Sequence, residues 1–200
     1  MTKPHALLLS LLALLLTAFA AHAAPEVQFT KVAAEDLKMS TDDAIQGRPF
    51  EIESPDGWFF YRGVYCPAPF GFTDATSATE PVDDLMIAGT QFRFDLGRPS
   101  TERELTKIVA WWGLADGLRA GVNVKFAVHD LATGEWRDLS DYYRRDEPQA
   151  AGMYGCLTLT FPAGEVKNFD SLRMYDGRPL LKANTTRWIE LDVFTSPDNK

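Results

Sequence analysis

Short segments in which apolar and polar side chains alternate recur through the second half of the chain. The clearest is 122–128, where Val122, Val124, Phe126 and Val128 occupy every second position. A period of two is the pattern of a β-strand with one buried face. The same pattern predicts further strands at 91–96, 105–112, 135–139, 157–161, 171–175 and 188–194.

Clusters of Gly, Pro and Asp separate these segments from Phe50 onward. Many short strands at regular spacing are typical of an all-β sandwich or barrel. Ala132-Thr133-Gly134 predicts a turn between two neighbouring strands. We therefore expect one β-sandwich domain over residues 50–200. An N-terminal extension precedes it at 24–49, where the composition is polar and mixed and a short helical turn is expected near residues 33–37.

The first 23 residues have the organisation of a secretory signal peptide. Lys3 supplies a positive start, a leucine-rich run follows from Ala6 to Ala21, and Ala21-His22-Ala23 is a small-x-small cleavage site. The apolar run is shorter than the roughly 20 residues needed to span a bilayer. We expect cleavage near Ala23 and a periplasmic or secreted mature chain without a membrane span.

The amino-acid composition argues against some classes of function. The chain of 200 residues has 20 Lys+Arg against 28 Asp+Glu, a formal net charge of −8, and 46% hydrophobic residues. This balance is that of a globular protein, and it argues against a nucleic-acid partner, since phosphate neutralisation needs a basic patch. His129 is the one histidine beyond the leader, which excludes a multi-histidine zinc site and makes Ser-His-Asp catalysis depend on this residue.

Two cysteines lie beyond the leader, Cys66 and Cys156. An even number of cysteines in an oxidising compartment favours a disulfide bond. We expect a Cys66–Cys156 bridge, and the alternative is two buried free thiols.

Five segments in order along the chain resemble the strands of discoidin domains, the coagulation-factor type C group. The resemblance covers about residues 90–195 and implies a galactose-binding-like jelly-roll β-sandwich. The segments that carry it are Phe94-Asp95-Leu96-Gly97 with Leu105-Thr106-Lys107-Ile108-Val109, Val124–Val128 followed by a glycine turn and Trp136, Leu159-Thr160-Phe161-Pro162, Leu172-Arg173-Met174, and Trp188–Phe194.

The resemblance also implies a structural calcium site. Family members often hold calcium with a loop before the Asp-Leu-Gly strand and a glutamate of the last strand, and Glu190 matches that glutamate. Asp74, Asp83 and Asp84 are the candidate loop ligands. The chain departs from the family pattern here, because residues 74–89 lack the Asp-Gly-x-x-x-Thr-x-Trp segment.

The longest segment without a strand pattern is 141–155, and it is rich in tyrosine and arginine. Sugars are recognised by aromatic faces together with a few polar groups, so we expect a ligand-binding loop made of Tyr142, Tyr143, Arg144 and Arg145. The resulting hypothesis is an exported, non-catalytic carbohydrate-binding domain. The alternatives are a secreted or envelope structural protein that binds another envelope protein, and a carboxylate-dependent glycoside hydrolase or lyase.

Overall fold

The computed structural model describes residues 23–48, 50–53, 60–61, 84–85, 91–97, 103–113, 122–145, 153–177 and 188–196. These residues contain no α-helix, and therefore none able to cross a membrane; a single 3-10 turn, Ala34–Asp36, follows the first strand as expected. The strands are β1 (Glu26–Ala33), β2 (Phe50–Glu53), β3 (Phe60–Tyr61), β4 (Asp84–Leu85), β5 (Gln91–Asp95), β6 (Glu104–Trp112), β7 (Val122–Asp130), β8 (Glu135–Asp138), β9 (Tyr143–Arg145), β10 (Met153–Thr160), β11 (Phe169–Asp176) and β12 (Trp188–Ser196).

The strands form two main antiparallel sheets. The first sheet has the order β1-β10-β6-β12, and the second has the order β2-β5-β11-β7-β8, with β9 also paired to β7. The strands β3 and β4 form a separate two-stranded sheet. From β5 to β12 the chain passes repeatedly from one main sheet to the other, which is the connectivity of a jelly-roll sandwich. The predicted all-β jelly-roll fold is confirmed.

The inner faces of the two sheets form the core. The four alternating apolar residues of β7, Val122, Val124, Phe126 and Val128, are all fully buried, as predicted. Aromatic contacts line the inner face of the first sheet: the ring centroids of Trp112 and Trp188, on the neighbouring strands β6 and β12, lie 6.3 Å apart. Burial of this face is the main driving force for the stacking of the two sheets.

A bulge changes the face to which Trp188 belongs. Simple alternation along β12 places Trp188 on the same side as Glu190 and Asp192. The pairing register with β6 shifts between Trp188 and Glu190, and Trp188 lies in the core. An extra residue in one strand reverses the side-chain direction across it.

Residues 24–48, within the segment that the composition sets apart as an extension, contribute to the first sheet and to the core. Strand β1 pairs with β10 along its whole length, from Glu26 opposite Thr160 to Ala33 opposite Met153. Residues 37–48, which we name the strap, cross the outer face of the first sheet. Leu37 and Met39 of the strap pack on a second apolar cluster composed of Val109, Trp111, Tyr154 and Cys156.

The strap then follows the edge of β12. Ala44 donates its backbone N–H to the Val193 carbonyl at 2.7 Å, and the Val193 N–H donates to Asp43 Oδ1 at 3.2 Å. Ile45 continues into the main core and is fully buried. The strap therefore joins the edge of the first sheet to the interior of the sandwich.

Cys156 lies under the strap, where its thiol is buried and has no disulfide partner among the described residues. Burial raises the pKa of this thiol, hydrogen bonds to Thr158 and Thr30 oppose the increase, and the nearby Asp192 adds to it. Cys66 lies outside the described residues, so the Cys66–Cys156 bridge stays a prediction.

Candidate functional site

The predicted ligand-binding loop is partly a strand. Residues 143–145 form β9 and pair with the start of β7, and residues 153–155 belong to β10. The expectation of an unpatterned loop over 141–155 is therefore wrong at both of these places. The sequence pattern does not indicate β9, because a three-residue edge strand is too short to show alternation.

Strand geometry divides the four predicted ligand residues between two directions. Tyr143 packs against the main core, and burial raises the pKa of its hydroxyl. The Arg145 guanidinium carbon lies 4.7 Å from the centre of the Phe29 ring, so this arginine covers an apolar residue of the opposite sheet. Tyr143 is therefore half-buried on the inner face of the second sheet, while Arg145 stays exposed.

Tyr142 is on the solvent side. It is 47% exposed, and its ring lies 5.5 Å from Lys125 Nζ on the outer face of the second sheet. Arg144 is exposed opposite Asn123 of β7. Of the four predicted residues, Tyr142 is the one that joins a larger cluster.

That cluster consists of three aromatic rings and two cations on the outer face of the second sheet, and we name it the aromatic–cation face. Its members come from three adjacent strands, β11, β7 and β8, and from the residue before β9. Adjacent strands are about 4.8 Å apart, so the face is about 10 Å wide between β11 and β8. Its five residues are Trp136, Arg173, Tyr175, Lys125 and Tyr142.

Rings and cations alternate across this face. The Arg173 guanidinium carbon lies 4.0 Å from the centre of the Trp136 ring and 5.9 Å from that of Tyr175. Lys125 Nζ lies 4.7 Å from the centre of the Tyr175 ring and donates a hydrogen bond of 2.9 Å to Asp138. That hydrogen bond raises the pKa of Lys125, so its ammonium stays charged at neutral pH.

Side-chain partners occupy the acidic groups around the face. Each of four acids has a cationic or histidine partner on a neighbouring strand. The four pairs are Asp138 with Lys125 at 2.9 Å, Asp170 with His129 at 2.9 Å, Asp130 with Arg137 at 3.6 Å and Glu51 with Arg93 at 3.2 Å. Arg173 has no acidic partner within the described part of the chain, and its buried Nε has no acceptor there.

His129 is part of the scaffold beside Trp136. Its Nδ1 lies 2.9 Å from Asp170 Oδ1, and its Nε2 lies 3.2 Å from the Gly134 carbonyl oxygen. Both ring nitrogens are thus engaged by oxygen atoms. A general base needs a nitrogen that can reach its substrate, so this geometry does not favour the Ser-His-Asp alternative.

The predicted calcium ligands are only partly described. Glu190 is fully buried opposite Trp111 of β6, and Asp84 lies in β4 opposite Tyr61. Asp74 and Asp83 lie outside the described residues. Among the residues that are described, no three His, Cys, Asp or Glu side chains are grouped so that they could hold a metal ion. The calcium site stays a prediction.

A second polar centre lies where the strap meets β12. The carboxylates of Asp43 and Asp192 are both buried, and burial raises the pKa of Asp43 to about 6 and that of Asp192 to about 7. The Asp43 carboxylate also raises the pKa of Asp192, and Asp192 in turn raises the pKa of the Cys156 thiol. This centre is enclosed by protein, and its role is to hold the strap.

No known family model matches the sequence, and no curated protein matches it. Among solved structures, a family 32 carbohydrate-binding module of AlyQ in complex with 4,5-unsaturated mannuronic acid has 14% identity and a TM-score of 0.37, covering 54% of this chain and 72% of its own. A family 35 carbohydrate-binding module from an environmental isolate has 14% identity and a TM-score of 0.21, covering 58% of this chain and 91% of its own. These similarities are too low to place the chain in either family.

Sequence reasoning missed the aromatic–cation face, although part of the signal was present. Trp136 and His129 belong to a predicted hairpin, so their proximity follows from the turn at 132–134. Arg173 and Tyr175 occupy the polar positions of another predicted strand. The missing information was the strand order, which places β11 beside β7.

Proposed function

We propose that this protein is an exported, non-catalytic carbohydrate-binding domain of the discoidin type, and that its ligand lies on the aromatic–cation face. The observation that carries the proposal is the alternation of three rings with two cations on the solvent side of one sheet. The faces of sugar rings carry C–H groups that pack on aromatic rings, and their hydroxyls accept hydrogen bonds from charged donors.

The rigidity of the scaffold supports this assignment. Trp136, Arg173 and Tyr175 lie on strands that pair with β7, and the inner face of β7 is fully buried. Side chains on such strands keep their positions when a ligand arrives, so little conformational entropy is lost on binding. The site lies on the face of a sheet, which suits a polysaccharide chain better than a single small molecule.

Binding to a panel of immobilised glycans tests the proposal. Wild-type protein is expected to bind at least one polysaccharide, and Trp136→Ala and Tyr175→Ala are each expected to weaken that binding by tenfold or more. Phe194→Ala is the matched control, because the Phe194 ring also carries a cation, Lys107 Nζ at 4.0 Å, but on the other sheet. Circular dichroism checks that all variants are folded.

Two results would contradict the proposal. One is the absence of binding across the whole panel by folded wild-type protein. The other is glycan binding that Trp136→Ala and Tyr175→Ala leave unchanged, which would place the sugar elsewhere on the molecule.

A further inference from the structure

Arg173 is a cation whose environment in the free protein is incomplete. Its contacts are with aromatic rings, Trp136 at 4.0 Å and Tyr175 at 5.9 Å, and no ion pair involves it within the described residues. Its Nε is buried there without an acceptor. A buried donor with no acceptor is unfavourable, and native proteins rarely keep one without a reason.

The cross-strand neighbour of Arg173 is another arginine. Arg93 of β5 is directly opposite Arg173 in the antiparallel register of β5 and β11. Like charges that face each other across two strands repel, which destabilises the pair. One acid, Glu51, compensates Arg93 at 3.2 Å, and its side chain is 70% exposed. The centre of the face therefore keeps a surplus positive charge on a protein whose net charge is −8.

The neighbouring acids are not available to neutralise Arg173. Asp138 is bound to Lys125, and Asp170 is bound to His129. Drawing either acid towards Arg173 would break an existing side-chain contact. The charge that completes this site must therefore come from outside the described residues.

We infer that Arg173, with Arg93 beside it, forms a subsite for the anionic group of an acidic sugar, either a uronate carboxylate or a sulfate ester. This inference rests on the proposed function and specifies its substrate class. The arginine fork donates two parallel hydrogen bonds to such a group. Trp136 lies against the guanidinium and holds its plane, so the sugar ring that carries the anion packs beside the indole.

The test compares charged polymers with their neutral counterparts on the same purified protein. The carboxylate pair is polygalacturonate and carboxyl-reduced polygalacturonate, and the sulfate pair is dextran sulfate and dextran. At least one charged polymer is expected to bind ten times or more tightly than its neutral partner at low salt. The pair that shows the difference identifies the anion.

Variants then locate the effect. Arg173→Gln is expected to abolish the preference, because it lowers binding of the charged polymer to the level of its neutral partner, while Arg173→Lys retains part of the preference. Arg137→Gln is the control, because it removes the same charge from the adjacent region, where Arg137 already has Asp130 as its partner at 3.6 Å. Thermal unfolding checks each variant.

The possible failures are distinguishable. Equal binding of charged and neutral polymers by wild-type protein, or a preference that survives Arg173→Gln, overturns the acidic-sugar subsite and leaves carbohydrate binding intact. Absence of binding to all four polymers and to every glycan of the panel overturns both the subsite and the proposed function.

Discussion

Trp111 Nε1 donates a hydrogen bond of 3.2 Å to Asp192 Oδ2, so a tryptophan of β6 binds a buried carboxylate of β12. The Ser40 backbone N–H reaches both oxygens of the same carboxylate, at 3.3 Å each. The strap and the outer face of the first sheet thus meet at one ionisable group. This arrangement makes the strap sensitive to the protonation of Asp192.

Stability is expected to fall as the pH rises from about 4 to about 7. In the folded chain burial raises the pKa of Asp43 to about 6 and of Asp192 to about 7, against 3.8 for an ordinary aspartate. The folded state therefore binds protons more tightly than the unfolded state, and its advantage is lost as both groups ionise. One pKa unit corresponds to about 1.4 kcal/mol, so the loss amounts to a few kcal/mol. Urea unfolding at pH 5 and pH 8 measures it.

Asp192→Asn is expected to remove most of this pH dependence, because the amide keeps a hydrogen-bond acceptor and cannot ionise. Asp141→Asn, at an exposed position, is the control and should unfold with the wild-type pH profile. An unchanged difference between pH 5 and pH 8 in Asp192→Asn would show that other groups cause it.

Asp43 is expected to tolerate asparagine and not alanine. Its Oδ1 accepts the backbone N–H groups of Ile45 at 2.9 Å and Val193 at 3.2 Å. Asp43→Ala leaves these donors without an acceptor and should lower the free energy of unfolding by about 2 kcal/mol or more. Asp43→Asn retains the acceptor and should be near wild-type stability at pH 5 and more stable than wild type at pH 8. Equal losses in both variants would argue against the role of Oδ1.

Phe126→Ala is expected to lower the free energy of unfolding by about 3–5 kcal/mol, because this side chain is fully buried between the sheets. Tyr142→Ala, at a position that is 47% exposed, should change it by less than about 1 kcal/mol. Denaturant unfolding of the two variants gives the comparison. Similar values for both would mean that the inner face of β7 is not packed as described.

Gly177→Ala is expected to lower the free energy of unfolding, because there is no room for the added methyl group. A Cβ at this position would lie 2.5 Å from Asn123 Nδ2 and 2.9 Å from the Asn123 carbonyl oxygen, which also accepts the Gly177 N–H at 2.6 Å. Gly177→Ala should cost about 1–3 kcal/mol through overpacking. Adding Asn123→Ala should recover part of that loss in a double-mutant cycle. Strict additivity of the two changes would exclude the clash as the cause.

The strands could be predicted from the sequence wherever one face is buried and the other is not. Val122 to Val128 alternates because each side chain faces either the core or solvent, and the same holds for Phe92 and Phe94 in β5. The alternation predicts the wrong face for Trp188, because it does not show the bulge in β12. The strap could not be predicted either, since its few apolar residues have no regular spacing.

The candidate site could be predicted only in part. Tyr142 was identified from its aromatic and basic neighbourhood, and it does join the aromatic–cation face. Trp136 and Arg173 are 37 positions apart and meet because β8 and β11 both pair with β7. The order of distant strands depends on how whole sheets pack, and the local pattern of apolar residues does not predict it.

The position of Asp43 and Ala44 has a consequence for self-association. These two residues occupy the outward N–H and C=O of Val193, in the middle of the nine-residue strand β12. An incoming strand from another molecule finds no free hydrogen-bonding groups at that point, and unprotected strand edges are where chains polymerise into fibrils. Proteolytic cleavage within the strap would free this edge, so the nicked protein is the form in which we expect oligomers to grow.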